Sequence, residues 1–465
     1  MKPDQDALDQ IADVFPLPLA PIEHFLLLDD RPQCPLTPVV ELHFSGPLQI
    51  DGLQKALSHC LIEHPLLSSR IRWQDGRPLW QFDAHFAASV LQGDDCTIKE
   101  QNPSTRLPGV RPFDLEAECG LRVFYQEFQN ERTSRLTVQF HHAACDGIGI
   151  RRFLIDVLER YANATSSATP EGRRRCRSPN LRTLLDRDDY SNLEQEPARV
   201  QLNWWDRICN AYYFYFKTPH PLVGSGQPSR PSDSAEPMVH HRFSESESAA
   251  ILERSRRDGV RINDLAIASL FRICRDWNET RGMTGAKKRI RILMPVDLRR
   301  RRDAALPAAN RLSFSFLGRT HGQCDDWATL LSSVQAETRA IKDSRVYMDF
   351  LKGMETLARY PMKFRRAIDR NRNMSSAVLT YSGDLLRGLT SRFPNHNQMR
   401  TIGDASLTGV LAAPPARENT NIAIGLCLNW GRIAVSAQWN RETFSREDAE
   451  DFVGMFAERL SERAT

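Results

Sequence analysis

At 465 residues the chain is long enough for two or three ordinary domains or one large two-lobed body. Hydrophobic residues at 41 per cent and charged residues at 26 per cent are the balance of a soluble globular protein, and a formal charge of +4 gives no global case for nucleic acid as a partner. The opening Met1-Lys2-Pro3-Asp4-Gln5-Asp6 lacks a basic stretch leading into an apolar core, no run of about 18 apolar residues occurs, and ten cysteines lie scattered without a C-x-x-C pair, so a signal peptide, a membrane span, a zinc site and a disulfide framework are all read as absent and a cytoplasmic location is expected.

In chain order, Val39 to Phe44 reads as a strand, followed by a helix capped by Asp51 with Leu53, Leu57, Cys60 and Leu61 on its apolar face. Ile71 to Phe82, with the turn Asp75-Gly76, reads as a hairpin. Leu121 to Phe128 and Leu136 to His142 read as strands, and Ile150, Phe153, Leu154, Val157, Leu158 and Tyr161 fall at helical spacing. Residues 163–179 and 223–237 are rich in Ser, Pro, Gly, Thr and Arg and read as linkers around an aromatic, helix-like segment from Trp204 to Lys217. A second half begins near Val239 with a strand to Phe243, then the capping box Ser244-x-x-Glu247 and a helix ending at Gly259, an echo of residues 39–62 in pattern only. Asn263 can cap another helix through Leu265, Ala268, Leu270 and Ile273. Arg291 to Val296 and Leu312 to Leu317 read as strands, Ile422 to Trp439 as a hairpin about Trp430-Gly431, and Ser445-x-x-Asp448 starts a last helix. The expected division is 1–165 as a first lobe, 166–238 as linker with the aromatic helix, and 239–465 as a second lobe.

Chemistry gathers in one stretch. Alternation along Leu136-Thr137-Val138-Gln139-Phe140-His141-His142 places His142 on the apolar face at the strand's end and turns His141 the other way. A lone histidine at a core's edge has a plain alternative, a packed imidazole bonded to backbone. Asp146, four residues on, can anchor the loop that carries the ring, and Gly147 permits a tight turn into the helix. A neutral imidazole is suited to accept a proton near neutral pH. His142 and Asp146 could share a metal at i, i+4 only on a helix, and His142 reads as ending a strand.

The run His141-His142-Ala143-Ala144-Cys145-Asp146-Gly147 resembles the His-His-x-x-x-Asp-Gly signature of a superfamily. That superfamily takes in condensation domains, plant BAHD acyltransferases, bacterial alcohol acyltransferases and chloramphenicol acetyltransferase. Flanking stretches agree with it in order: Pro18-Leu19-Ala20-Pro21 with Glu23, His64-Pro65-Leu66-Leu67, Pro112-Phe113-Asp114-Leu115 with Gly120-Leu121-Arg122, Asn263-Asp264, Pro295-Val296-Asp297-Leu298-Arg299 and Asn310-Arg311. The resemblance implies an α/β fold of two chloramphenicol acetyltransferase-like lobes, mixed sheets with flanking helices, and a tunnel between them. It implies His142 as general base, His141, Asp146 and Gly147 as its motif companions, and Asp146 held by an Arg. Arg299 matches that Arg in the BAHD branch, whereas the position condensation domains use after the first helix is Ser68 here. Thr380 and Ser382 lie in a stretch resembling the tunnel-lining strand and are candidate oxyanion donors; a Ser capping the Gly383-Asp384 turn is the plain alternative.

The resemblance further implies acyl transfer from acyl-CoA or an acyl- or peptidyl-carrier protein to an alcohol or amine. Coenzyme A or phosphopantetheine enters as a co-substrate thioester, with no permanently bound cofactor and no metal, and a monomer is expected. A non-catalytic, condensation-like recruitment module is the second reading. No Asp-Phe-Gly-Trp-Gly run of the plant branch occurs, which leaves free and carrier-bound donors both open and fits a free-standing bacterial enzyme. Arg300, Arg301 and Arg302, behind Lys287, Lys288, Arg289 and Arg291, can meet coenzyme A phosphates or an acidic carrier, or form a solvated loop. Arg173, Arg174, Arg175 and Arg177 read as disordered. The stripe Trp204, Trp205, Ile208, Tyr212, Tyr215 and Phe216 reads as core or inter-lobe packing, with peripheral contact to a membrane surface or lipid acyl chain as the alternative.

Overall fold

Strands with apolar alternation pair into two large sheets, and a seven-stranded one carries the motif. The computed structural model describes residues 5–91, 97–100, 109–165, 178–195, 198–201, 203–205, 214, 217–226, 237–370, 373–385, 393, 395–396 and 399–462. The first sheet runs, edge to edge, Asn395–His396, Met399–Ile402, Ala405–Ala413, Val39–Ser45, Thr133–Phe140, Leu121–Phe128 and Thr97–Glu100. All its pairs are antiparallel except the last. Leu42 faces Leu136 and Val40 faces Val138 in register, so one face is continuously apolar. The helices Ile50–Glu63 and Gly147–Thr165 are partners on that lobe and bury Leu53, Leu57, Leu61, Phe153 and Val157.

The second sheet is ordered Leu312–Thr320, Arg289–Asp297, Ala377–Asp384, Ile422–Asn429, Arg432–Trp439 and Val239–Arg242. Ala377–Asp384 is parallel to both neighbours, and the other pairs are antiparallel. The long helices Ile262–Thr280 and Arg446–Ser461 pack together here, with Trp277 between Phe444 and Phe452. Among the described residues no helix is long and apolar enough to cross a membrane.

Turn chemistry and capping boxes fix most boundaries where expected. Asp75 and Gly76, and Trp430 and Gly431, take positive φ in their hairpins. Ser244 and Ser445 accept from the N–H groups of Glu247 and Asp448. Two caps differ. The helix read as starting at Asp51 begins at Ile50 behind Gln49, and the one read from Asn263 begins at Ile262 behind Arg261, whose N–H donates to Asp264.

The division at residue 239 does not map one-to-one onto the sheets. Ala405–Ala413 crosses back to pair with Val39–Ser45, so the first sheet is completed by the second half of the chain. The middle stretch is also more than a tether. Residues 181–186 form a short 3-10 helix, and Leu181, Leu184, Tyr190 and Leu193 are buried. Arg187 reaches Glu23 with a bidentate pair at 2.7 and 2.8 Å and also donates to Pro18 O. Trp80 and the Ala20 N–H donate to the same carboxylate. Of the aromatic stripe, Trp204 and Trp205 are solvent-facing at 68 and 59 per cent exposure and touch each other edge to face, which departs from core packing. Ile208, Tyr212, Tyr215, Phe216 and the Arg173–Arg177 cluster lie outside the described residues.

Candidate functional site

The strand Thr133–Phe140 ends one residue before the histidine pair, so the turn rather than strand alternation aims them. The His141 N–H donates to Gly120 O and the His142 N–H to Leu36 O, both at 2.9 Å. From the other half, Asn310 Nδ2 clamps the turn by donating to His142 O at 2.9 Å and Ala143 O at 2.8 Å. The two imidazoles part company. His141 is buried, its Nδ1 accepts from the Ala143 N–H at 3.0 Å, its Nε2 lies 3.6 Å from Asp30, and it lines neither of the two cavities that His142 lines. His142 stands where two cavities meet.

The larger cavity, about 210 Å³, and the smaller, about 50 Å³, share His142, Thr380, Pro295, Pro414 and Pro415 in their walls. Among the described residues, His142 and Thr380 are the only polar side chains common to both. Burial lowers the His142 pKa below its ordinary 6.5, outweighing its own and Cys145 carbonyls and the Asp146 charge, which favour the protonated ring. Nδ1 is enclosed, and no described group makes a hydrogen bond of ordinary geometry to it.

Asp146 does not touch either ring. Arg299 Nη1 and Nη2 donate to Oδ2 and Oδ1 at 2.8 and 2.9 Å in a bidentate pair. The N–H groups of Ile148 and Gly149 donate to Oδ1, and that of Arg311 to Oδ2, at 3.1, 2.8 and 2.8 Å. Burial raises the Asp146 pKa, but Arg299 and these donors overcome it and hold the carboxyl below its usual range. The carboxylate therefore caps the helix Gly147–Thr165 and ties it to the second half. The glycine that geometry demands is not Gly147 but Gly149. A Cβ on Gly149 would meet Ala309 O at 2.9 Å, whereas Gly147 is exposed, lines the larger cavity and has nothing within 4 Å of its Cβ position.

No family model matches the chain. A linear gramicidin synthase of Brevibacillus parabrevis is 22% identical over 274 residues, 56% of this chain and 3% of that protein. The nonribosomal peptide synthetase TES of Alternaria alternata is 29% identical over 183 residues, 38% of this chain and 3% of that protein. The chain thus spans a small part of these relatives. Two solved structures superpose over nearly the whole chain. TRI3 trichothecene 15-O-acetyltransferase of Fusarium sporotrichioides gives a TM-score of 0.66 at 12% identity, covering 95% of this chain and 94% of that one. The first condensation domain of the calcium-dependent antibiotic synthetase gives 0.64 at 15%, covering 96% and 95%. The chain has the fold of the condensation-domain and acyltransferase superfamily.

Within this condensation-type fold the remaining residues sort by place. Arg299 occupies the position that pairs with Asp146, and Ser68 is buried with Oγ donating to Leu61 O at 3.0 Å. Thr380 and Ser382 both line the larger cavity from the strand Ala377–Asp384, with Ser382 at a register shift against Ile422–Asn429. Ser382 thus sits within a strand rather than in a loop. Arg300, Arg301 and Arg302 are exposed and line neither cavity, and Arg302 is engaged with Asp189. Behind them Arg291 is buried, donating to Lys217 O at 2.8 Å and to Phe214 O and Met374 O at 3.3 Å. Sequence reasoning missed Gly149 and the clamp role of Asn310. The only local trace of the first was its place in the helix's opening turn, and of the second a polar residue beside Arg311.

Proposed function

We propose that the protein is an acyltransferase that moves an acyl group from a thioester, carried by coenzyme A or by the phosphopantetheine of a carrier protein, to an alcohol or amine, with His142 as general base. The observation that carries this is the position of His142: an imidazole that burial keeps neutral, between two cavities, with no carboxylate hydrogen-bonded to it among the described residues. One cavity can deliver the donor carbonyl and the other the acceptor.

In the proposed reaction Nε2 takes the proton from the acceptor O–H or N–H as that atom forms a bond to the thioester carbon. The carbonyl becomes a tetrahedral oxyanion. Its collapse breaks the carbon–sulfur bond, and the departing thiolate recovers the proton from Nε2. Thr380, which shares both cavities with His142, is the better placed hydroxyl to donate to the oxyanion, with Ser382 further along the strand. Asp146 and Arg299 act as positioning residues, because every strong contact of that carboxylate is spent on holding the helix and the second half. The fold relation to a trichothecene acetyltransferase and to a condensation domain supports both acceptor types.

The test is acceptor-dependent thiol release from a panel of acyl-CoAs with alcohols and amines. His142→Ala is expected to lower the rate by about 10²–10⁴-fold. Equal release by both proteins removes the enzyme reading and leaves a recruitment module. The sign of the pH dependence follows from the lowered pKa: the active form is the neutral ring, so kcat/KM falls only as pH drops through a value below 6.5. An acid limb centred above pH 7 contradicts the assignment. An intact-mass shift on a charged carrier protein distinguishes a carrier-bound from a free coenzyme A donor.

A further inference from the structure

The larger cavity has a direction, and three separate elements agree on it. On the motif helix its lining residues fall at Gly147 and Ile148, Ile150 and Arg151, Leu154 and Ile155, and Leu158, one face at helical spacing. The opposite wall is the face of Val39–Ser45 that carries Val40 and Leu42, with Ala412 paired across from Val40 and Val410 across from Leu42. The strand Thr133–Phe140 leads into His142 and pairs antiparallel with Val39–Ser45, so Pro38 and Val39 lie at the His142 end and Leu42 away from it. Ala413 pairs with Val39, which puts it at the same near end. Gly147 starts the helix beside His142, and Leu158 lies three turns beyond.

Two rulers give the same length. At 1.5 Å per residue the helix face from Gly147 to Leu158 runs about 16 Å. At roughly 3.4 Å per residue the strand from Pro38 to Leu42 runs about 14 Å. Chemistry is graded along this length. His142, Thr380, Asp146 and Arg299 stand at the near end, Tyr381 and Ser382 follow Thr380 along its strand, and Arg151 lies one turn into the helix. Past it the walls are Leu154, Ile155 and Leu158 against Val40, Leu42 and Val410, all buried hydrocarbon.

We infer that this slot takes a straight aliphatic acyl chain, with its carbonyl carbon at His142 and its methyl end toward Leu158, and that Leu42, Val410, Ala412 and Leu158 set the chain length. The inference rests on the acyl-transfer reading and gives it a substrate class: medium-chain fatty acyl thioesters, of the reach of a stretched decanoyl to dodecanoyl group. A highly polar or strongly branched acyl group does not suit walls that are mostly hydrocarbon, interrupted by the polar side chains of Arg151, Tyr381, Ser382 and Asp297.

The experiment is calorimetric binding of saturated acyl-CoAs, from butyryl to hexadecanoyl, to the His142→Ala protein, which reads binding without turnover. Each added methylene is expected to tighten binding about fourfold until the slot is filled, near decanoyl to dodecanoyl, with a plateau beyond. In the otherwise native enzyme, Ala412→Phe is expected to lower the ratio of dodecanoyl to butyryl kcat/KM at least tenfold. Leu158→Ala, which adds no bulk and serves where the first variant fails to fold, is expected to move the plateau to longer chains. Affinity independent of chain length, or an unmoved profile in folded variants, overturns the slot. An active enzyme with a flat profile sinks the slot alone; chain-length-dependent binding without His142-dependent thiol release sinks the acyl-transfer reading alone.

Discussion

At the scale of single residues, the site separates a group placed to react from a group placed to hold. His142 touches two cavities and is kept neutral by burial; Asp146 carries five hydrogen bonds from Arg299, Ile148, Gly149 and Arg311 and touches neither ring. Removing one partner of a buried, bidentate ion pair strands the other charge and costs about 3–5 kcal/mol. Asp146→Ala is therefore expected to lower stability by that order in chemical denaturation. A variant that unfolds like wild type contradicts the structural role. Asp146 was legible from the sequence because motif spacing names it, and Arg299 because of the resemblance. Asn310 was not, since its action is a contact across more than 160 residues that no local pattern encodes.

At the scale of elements, the motif helix is seated by a close approach rather than by its first glycine. Ala309 O stands 2.9 Å from where a Gly149 Cβ would lie, and backbone cannot swing aside as a flexible side chain can. Gly149→Ala is expected to cost about 1–3 kcal/mol through overpacking, measured as a fall in denaturation midpoint. Gly147→Ala, with open space around it, is expected to leave the midpoint near wild type. Hairpins and helix starts were legible where a turn dipeptide or capping box signals them, as at Asp75-Gly76, Trp430-Gly431, Ser244 and Ser445. The caps at Gln49 and Arg261 were not, because neither side chain caps its helix.

At the scale of the whole molecule, the two halves are joined by buried charge as well as by apolar surface. Arg417 pairs with Asp29 at 2.6 and 2.7 Å across 388 residues, and His64 bridges Asp156 and the Ala308 N–H at 3.0 and 2.8 Å. Arg417→Ala leaves Asp29 buried and unpaired, at a cost of about 3–5 kcal/mol. The double variant Asp29→Leu with Arg417→Met is expected to be more stable than Arg417→Ala alone in thermal unfolding, and a double variant that is worse than the single one refutes the pairing argument. None of these links was visible in the sequence, where Asp29 and Arg417 sit in unremarkable surroundings. For Trp204 and Trp205, composition shows that they are large and apolar, but not whether anything covers them, and both face solvent.

The return of Ala405–Ala413 to the first sheet also sets an order of events during synthesis. Val39–Ser45 has Thr133–Phe140 on one side early, but its other edge waits for a strand encoded some 360 residues later, roughly tens of seconds at ordinary elongation rates. For that interval a nascent chain presents an unpaired run of Val, Leu and Phe to its surroundings. Splitting the gene near codon 238 divides that one sheet between two polypeptides.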